Sequence, residues 1–179
     1  MVIFGIDPGS VNCGWGAVLM EGKKFSLLEY GVIKLKKIED DFPKRIDLLF
    51  KKLSSKIYEN KAEIVCIESV FNAKNTQSLI KLTHARAAAM LAGTTNNSEI
   101  IEFTPNQVKK SVTGRGHASK EQVQYMVKTL LNIKETPELF DATDALAVAL
   151  CFCLNNGNKV KSASNWKDYL KENPGRIIS

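Results

Sequence analysis

Val2-Ile3-Phe4-Gly5-Ile6-Asp7-Pro8-Gly9-Ser10 is the stretch on which the fold is decided. The apolar run Val2–Ile6 reads as a buried strand, and Pro8-Gly9 reads as the turn that ends it. Asp7 sits between the two. An acid directly after a buried strand is poorly explained by core packing, because a carboxylate taken out of water without a partner is costly. The pattern recurs where Glu68 follows the apolar run Ile64–Ile67. Asp141 and Asp144 then stand three apart in a segment that otherwise reads as a buried helix. Such acids in a chain that is basic overall point to a shared partner, and a hard divalent cation that takes oxygen ligands fits them.

Working outward, the runs Gly14–Met20 and Phe25–Ile33 follow the first strand across short polar turns, which predicts an antiparallel meander. Ile46, Leu49, Phe50, Leu53 and Ile57 share one face of a helix from Pro43 to Tyr58. Glu63–Val70 predicts a buried strand, Thr76 to Ala92 an alanine-rich helix, and Glu99–Phe103 a further strand. Thr104-Pro105 marks the start of a short helix. Gly114-Arg115-Gly116-His117-Ala118 reads as a loop, and Ser119 with Gln122 forms a capping box for the next helix. Pro137 opens a last long helix that ends near Gly157. The expectation is an α/β domain over residues 1–157, a mixed five-stranded sheet flanked by helices, followed by a basic tail over 158–179.

The chain has 179 residues, 44% hydrophobic and 25% charged, ordinary values for one domain with a full core. No apolar stretch is long enough to span a membrane, and the start lacks the features of a signal peptide, so a cytoplasmic protein is expected. Cys13, Cys66, Cys151 and Cys153 are scattered, mostly in apolar runs, and read as buried reduced thiols. The net charge is +6, which suggests a polyanionic partner. From Ile101 to Lys134 the bases are Lys109, Lys110, Arg115, Lys120, Lys128 and Lys134, against Glu102 and Glu121. From Glu135 to Leu150 the balance reverses, with Glu135, Glu138, Asp141 and Asp144 and no base. A basic surface beside an acidic pocket suits a metal-dependent nuclease: bases hold phosphate and acids hold cations.

Four motifs in order carry a resemblance. They are Gly5-Ile6-Asp7-Pro8-Gly9-Ser10; Ile67-Glu68-Ser69-Val70-Phe71 with Ala73-Lys74-Asn75; Gln107-Val108-Lys109 with Lys120 and Gln122-Val123-Gln124; and Asp141-Ala142-Thr143-Asp144-Ala145-Leu146-Ala147. Up to about Asn155 the chain resembles the RuvC-type Holliday junction resolvases, bacterial endonucleases of ribonuclease H-like fold. The resemblance implies that Asp7, Glu68, Asp141 and Asp144 are the catalytic acids. It implies that Phe71 contacts junction bases and that Lys109 and Lys120 serve DNA binding and cleavage. It further implies a homodimer, and the substrate expected is four-way junction DNA; a branch-migration complex is a further candidate partner. Arg115 matches no fixed motif and is a DNA-binding candidate on charge alone.

Read by themselves, Asp141 and Asp144 lie on one helical face, and Asp7 and Glu68 end adjacent strands. The four can hold two magnesium ions about 4 Å apart, with manganese a substitute. Phe71, before a polar loop, can stack on an unpaired base. His117 reads as a surface-loop histidine and His84 as structural or interfacial. Asp7-Pro8-Gly9 also resembles the first phosphate loop of actin-like ATPases, but this chain is too short for their second lobe. Two alternatives stay open: a related ribonuclease H-like nuclease with another substrate, and a junction-binding dimer that does not cut.

Overall fold

The protein is described by a computed structural model over residues 1–69, 75–134 and 140–155. Five strands, β1 (Val2–Asp7), β2 (Asn12–Glu21), β3 (Lys24–Lys34), β4 (Ile64–Glu68) and β5 (Glu99–Phe103), form one mixed sheet in the order β3-β2-β1-β4-β5. The first three pair antiparallel as the expected meander, and β4 and β5 add in parallel to β1. Parallel neighbours need a crossover connection. The helices α2 (Phe42–Glu59) and α3 (Thr76–Thr95) lie in the two crossovers, before β4 and before β5. A short α1 (Leu35–Ile38) precedes α2 and was not foreseen; its buried Leu35 anchors a single turn that has no side-chain cap. After the sheet come α4 (Pro105–Thr113), α5 (Lys120–Leu131) and α6 (Phe140–Leu154).

Strand alternation sorts the sheet into two faces. Ile3, Ile64, Cys66 and Phe103 pack with α4, α5 and α6, whereas Phe4, Ile6, Val65 and Ile67 pack with α2 and α3. By the same period, Gly5 and Asp7 follow Ile3 onto the α6 side, and Glu68 follows Cys66. This alternation brings both strand-end acids to the helix that carries the other two.

The helix α6 is buried from Ala142 to Cys153, apart from Asp144, and so is apolar nearly all round. It lies very close to the sheet. A Cβ on Gly5 would collide with the Ala145 carbonyl oxygen, and one on Gly14 with the Asp141 carbonyl oxygen. Glycine at these two positions lets helix backbone touch strand backbone.

The caps expected at Thr104 and Ser119 are present, and both are full capping boxes, with Gln107 and Gln122 closing them. All four cysteines are free and buried, as expected. The described β4 spans Ile64–Glu68; beyond it Ser69 gives its N–H and hydroxyl to the Phe103 carbonyl of β5, and Val70, the expected last residue, lies outside the described residues. Described α6 spans Phe140–Leu154 rather than reaching Gly157; the expected start at Pro137, and the tail 158–179, lie outside the described residues. Among the described residues no helix is long and apolar enough to cross a membrane.

Candidate active site

Asp7 is the last residue of β1 and pairs with Gly14 of β2. Gly14 in turn lies against the backbone of Asp141, so the first turn of α6 sits beside the end of β1. Glu68 ends β4, the parallel neighbour of β1 on its other side. Asp144 lies one helical turn beyond Asp141. The strand register and one close helix–sheet contact thus gather Asp7, Glu68, Asp141 and Asp144 at one end of the sheet, where ligands bind in folds of this kind.

The electrostatics follow from that crowding. Burial, and then the charges of Glu68, Asp144 and Asp141, push the Asp7 carboxyl up from its usual 3.8 to about 8, against the opposing pull of Lys120. Burial, and then Asp144, push Glu68 up to about 7, while Lys120 and Lys109 pull it down. Lys120, the first residue of α5, donates from Nζ to Oδ2 of Asp144 at 2.8 Å. Cys13, buried on the neighbouring strand, has its thiol pushed far up by burial and by Asp7, and so stays a neutral thiol.

A set of carboxylate oxygens with raised proton affinity is a set short of positive charge, and it suits a hard divalent cation. Among the described residues, no three His, Cys, Asp or Glu side chains stand close enough to share one ion in this arrangement. Asp144 is turned to Lys120. The donor chemistry of these carboxylates fits magnesium.

Two further residues shape the site. Ser69 ties the end of β4 to β5, through its N–H at 2.9 Å and its hydroxyl at 3.1 Å from the Phe103 carbonyl. Arg45 is buried on α2 and spends its guanidinium on backbone carbonyls: Glu39 at 2.8 Å, Asp40 at 2.6 Å and Ser10 at 3.4 Å. It braces the loop that follows Asp7. Its signal was present, since Arg45 extends the buried stripe Leu49–Leu53–Ile57 back by one turn, where an apolar residue would be normal.

Among the other expected residues, Lys109 on α4 is near enough to Glu68 to lower its proton affinity. Arg115 is elsewhere. It lines a cavity of about 470 Å³ with Thr113, Glu121, Gln122, Tyr125 and Met126, beside α5. His84 is exposed on α3, with Nδ1 2.7 Å from the Ile80 carbonyl and its ring edge-on to Phe42. Phe71 lies outside the described residues.

The family described as "Crossover junction endodeoxyribonuclease RuvC" matches residues 3–152. The chain belongs to that family. It is accordingly an endodeoxyribonuclease, a hydrolase, of ribonuclease H-like fold. The relative from Cytophaga hutchinsonii named "Crossover junction endodeoxyribonuclease RuvC" is 39% identical over 176 residues, covering 98% of this chain and 88% of its own. That from Alkaliphilus metalliredigens is 43% identical over 151 residues, covering 84% and 92%. The solved structure "T. thermophilus RuvC in complex with Holliday junction substrate" is similar with a TM-score of 0.80 and 30% identity, over 87% of this chain and 94% of that one.

Proposed function

We propose that this RuvC-family endonuclease resolves four-way DNA junctions as a homodimer, by paired, magnesium-dependent nicks in recombination and repair. The observation that carries the reading is the convergence of Asp7, Glu68, Asp141 and Asp144, with Lys120 on Asp144 and Lys109 near Glu68. The four acids would hold magnesium, which when bound activates water and neutralises charge on the reacting phosphate. Asp7 and Glu68, on adjacent strands, set one wall of the cation site; Asp141 and Asp144, one turn apart, set the other. Lys109 and Lys120 hold the DNA backbone beside the acids, and Arg115 contacts phosphate farther out along α5. Phe71 stacks on a base exposed at the junction centre, which is how a junction is told from plain duplex.

Support for the dimer comes from α3. It buries Ala85, Ala88, Ala89, Ala92 and Gly93 within the chain. Its other side exposes Ile80 (50%) and Leu91 (59%) in line with His84 and Ala87. An apolar stripe on the solvent side of a helix suits a second copy of the same helix. The test is cleavage of four-way junction, duplex and single-stranded DNA with and without magnesium, beside sedimentation. Magnesium-dependent paired nicks confined to the junction, made by a dimer, are expected. Equal cutting of duplex, or a monomer at micromolar concentration, sinks the reading.

A further inference from the structure

Lys120 is fixed at its backbone and reaches out along a flexible side chain. Its backbone begins α5, and the Ser119–Gln122 capping box holds that start in place, with the Ser119 N–H bonded to Gln122 Oε1 at 3.0 Å and the Gln122 N–H to Ser119 Oγ at 3.3 Å. Its side chain is 60% exposed, yet the ammonium reaches a carboxylate that is only 18% exposed, Oδ2 of Asp144 at 2.8 Å. An ion pair with one end in solvent is weak and easily parted. The ammonium also pulls on Asp7 and Glu68, so it serves as counter-ion to several acids at once. The oxygen it holds is one of the two that Asp144 could offer a divalent cation. An ammonium and a divalent cation within a few ångströms repel strongly at the effective dielectric of a protein site.

We propose that Lys120 is an internal competitor of the divalent cation at Asp144, so that loading this side of the site is an exchange in which the ammonium leaves as the ion arrives. The proposal rests on the reading of the four acids as metal ligands, and it concerns what stands in the metal's way. The flexible stem of Lys120 allows the ammonium to swing outward without moving α5. Bound DNA, with phosphate in reach, favours that swing.

The test is calorimetric titration of the full chain with Mn²⁺ alone, without DNA. Lys120→Met is expected to bind Mn²⁺ about fivefold more tightly than the unaltered chain, the scale of one partly exposed ion pair. Lys120→Arg should keep the weaker affinity of the unaltered chain. Lys109→Met is the control: it removes a charge that Glu68 feels, but not a hydrogen bond to Asp144, and should change the affinity by less than about twofold. Without metal, Lys120→Met should also melt lower, and Mn²⁺ should raise its melting temperature by more. Lys120→Gln replaces Lys120→Met if the latter fails to fold. Unchanged or weaker Mn²⁺ binding by the neutral variant, or equal tightening by Lys109→Met, overturns the exchange. If Asp7→Asn and Asp144→Asn leave Mn²⁺ affinity unaltered, the metal assignment itself falls. If those two weaken it while Lys120→Met has no effect, only the exchange falls.

Discussion

At the C-terminal turn of α2, Glu29 and Glu59 both reach Lys56, at 2.8 and 3.0 Å, and Asn60 and Ser55 donate to them. At the ends of β1 and β4, Asp7 and Glu68 face Asp144, and Asp7 faces Asp141 as well. Hydrogen bonds from Lys56 and Ser55 hold Glu29 and Glu59 below the usual carboxylate range. Burial and like charge hold Asp7 and Glu68 above it. The first cluster contains its own cation and is part of how the chain stays folded. The second is left short of positive charge by the fold, and that shortage makes it fit to bind a cation.

The largest expected effect breaks the acid end outright. Asp7→Asn or Glu68→Gln should lower magnesium-dependent junction cleavage by about 10³-fold or more while junction binding survives, since each removes ligand charge and little shape. Cleavage near the unaltered rate by either variant ends the assignment of the strand-end acids.

Next comes stability against pH, where the two clusters have opposite signs. Asp7 and Glu68 take up protons more readily folded than unfolded, so between their usual values and about 7 to 8 the folded state binds the more protons. Stability must then fall as pH rises through that window. Chelator-treated protein should lose roughly 1–3 kcal/mol between pH 5 and 8. Asp7→Asn should flatten the slope, and added magnesium should do the same for the unaltered chain. Glu29 and Glu59 have lowered values, and their contribution is lost only as pH falls below the ordinary carboxylate range. Denaturation followed by circular dichroism across pH checks both signs. A flat or rising profile from pH 5 to 8 contradicts the account of the acid end.

Much of this division was readable beforehand, and the part that was not has physical causes. Acids after apolar runs, and two acids one turn apart in an apolar helix, stand out because core packing does not explain them. Face and proximity needed the register: the Asp7–Gly14 pairing and the contacts of Gly5 and Gly14 with α6 show that the helix lies on the Asp7 side. The Lys120–Asp144 pair, 24 residues apart, depends on how α5 meets α6 and leaves no local trace. Ser69 acts through a backbone carbonyl, which carries no residue-specific signal, and what Arg45 binds is hidden for the same reason, although its place on the buried stripe of α2 marks it. The turn α1 rests on one buried leucine, too little for a periodicity.

A smaller effect sharpens the contrast at Lys109, which pulls on Glu68. Lys109→Ala should weaken junction binding and reduce the slope of log affinity against log salt by about 1. An unchanged slope in filter-binding or anisotropy titrations removes Lys109 from the phosphate contacts. The smallest effect belongs to the satisfied cluster. Lys56→Met breaks ion pairs that solvent already screens, and it should lower the melting temperature by under about 3 °C with cleavage unchanged. A loss of cleavage there shows that the two clusters are not independent.

The glycines under α6 have a consequence for how this enzyme can vary. Side chains in a core repack when their neighbours change, and distances that depend on them drift. The gap between α6 and the strands is set by helix backbone at Gly14 and by helix backbone and one alanine methyl at Gly5, so it is a distance with no rotatable side chain to adjust it. Asp141 stands directly over that gap, beside Asp7. The apolar surroundings can therefore be exchanged one residue at a time while the calibration between strand acid and helix acid is preserved. A single methyl group at position 5 or 14 would act as a shim, lifting the helix and resetting the spacing of the acids while every acid stayed in the sequence.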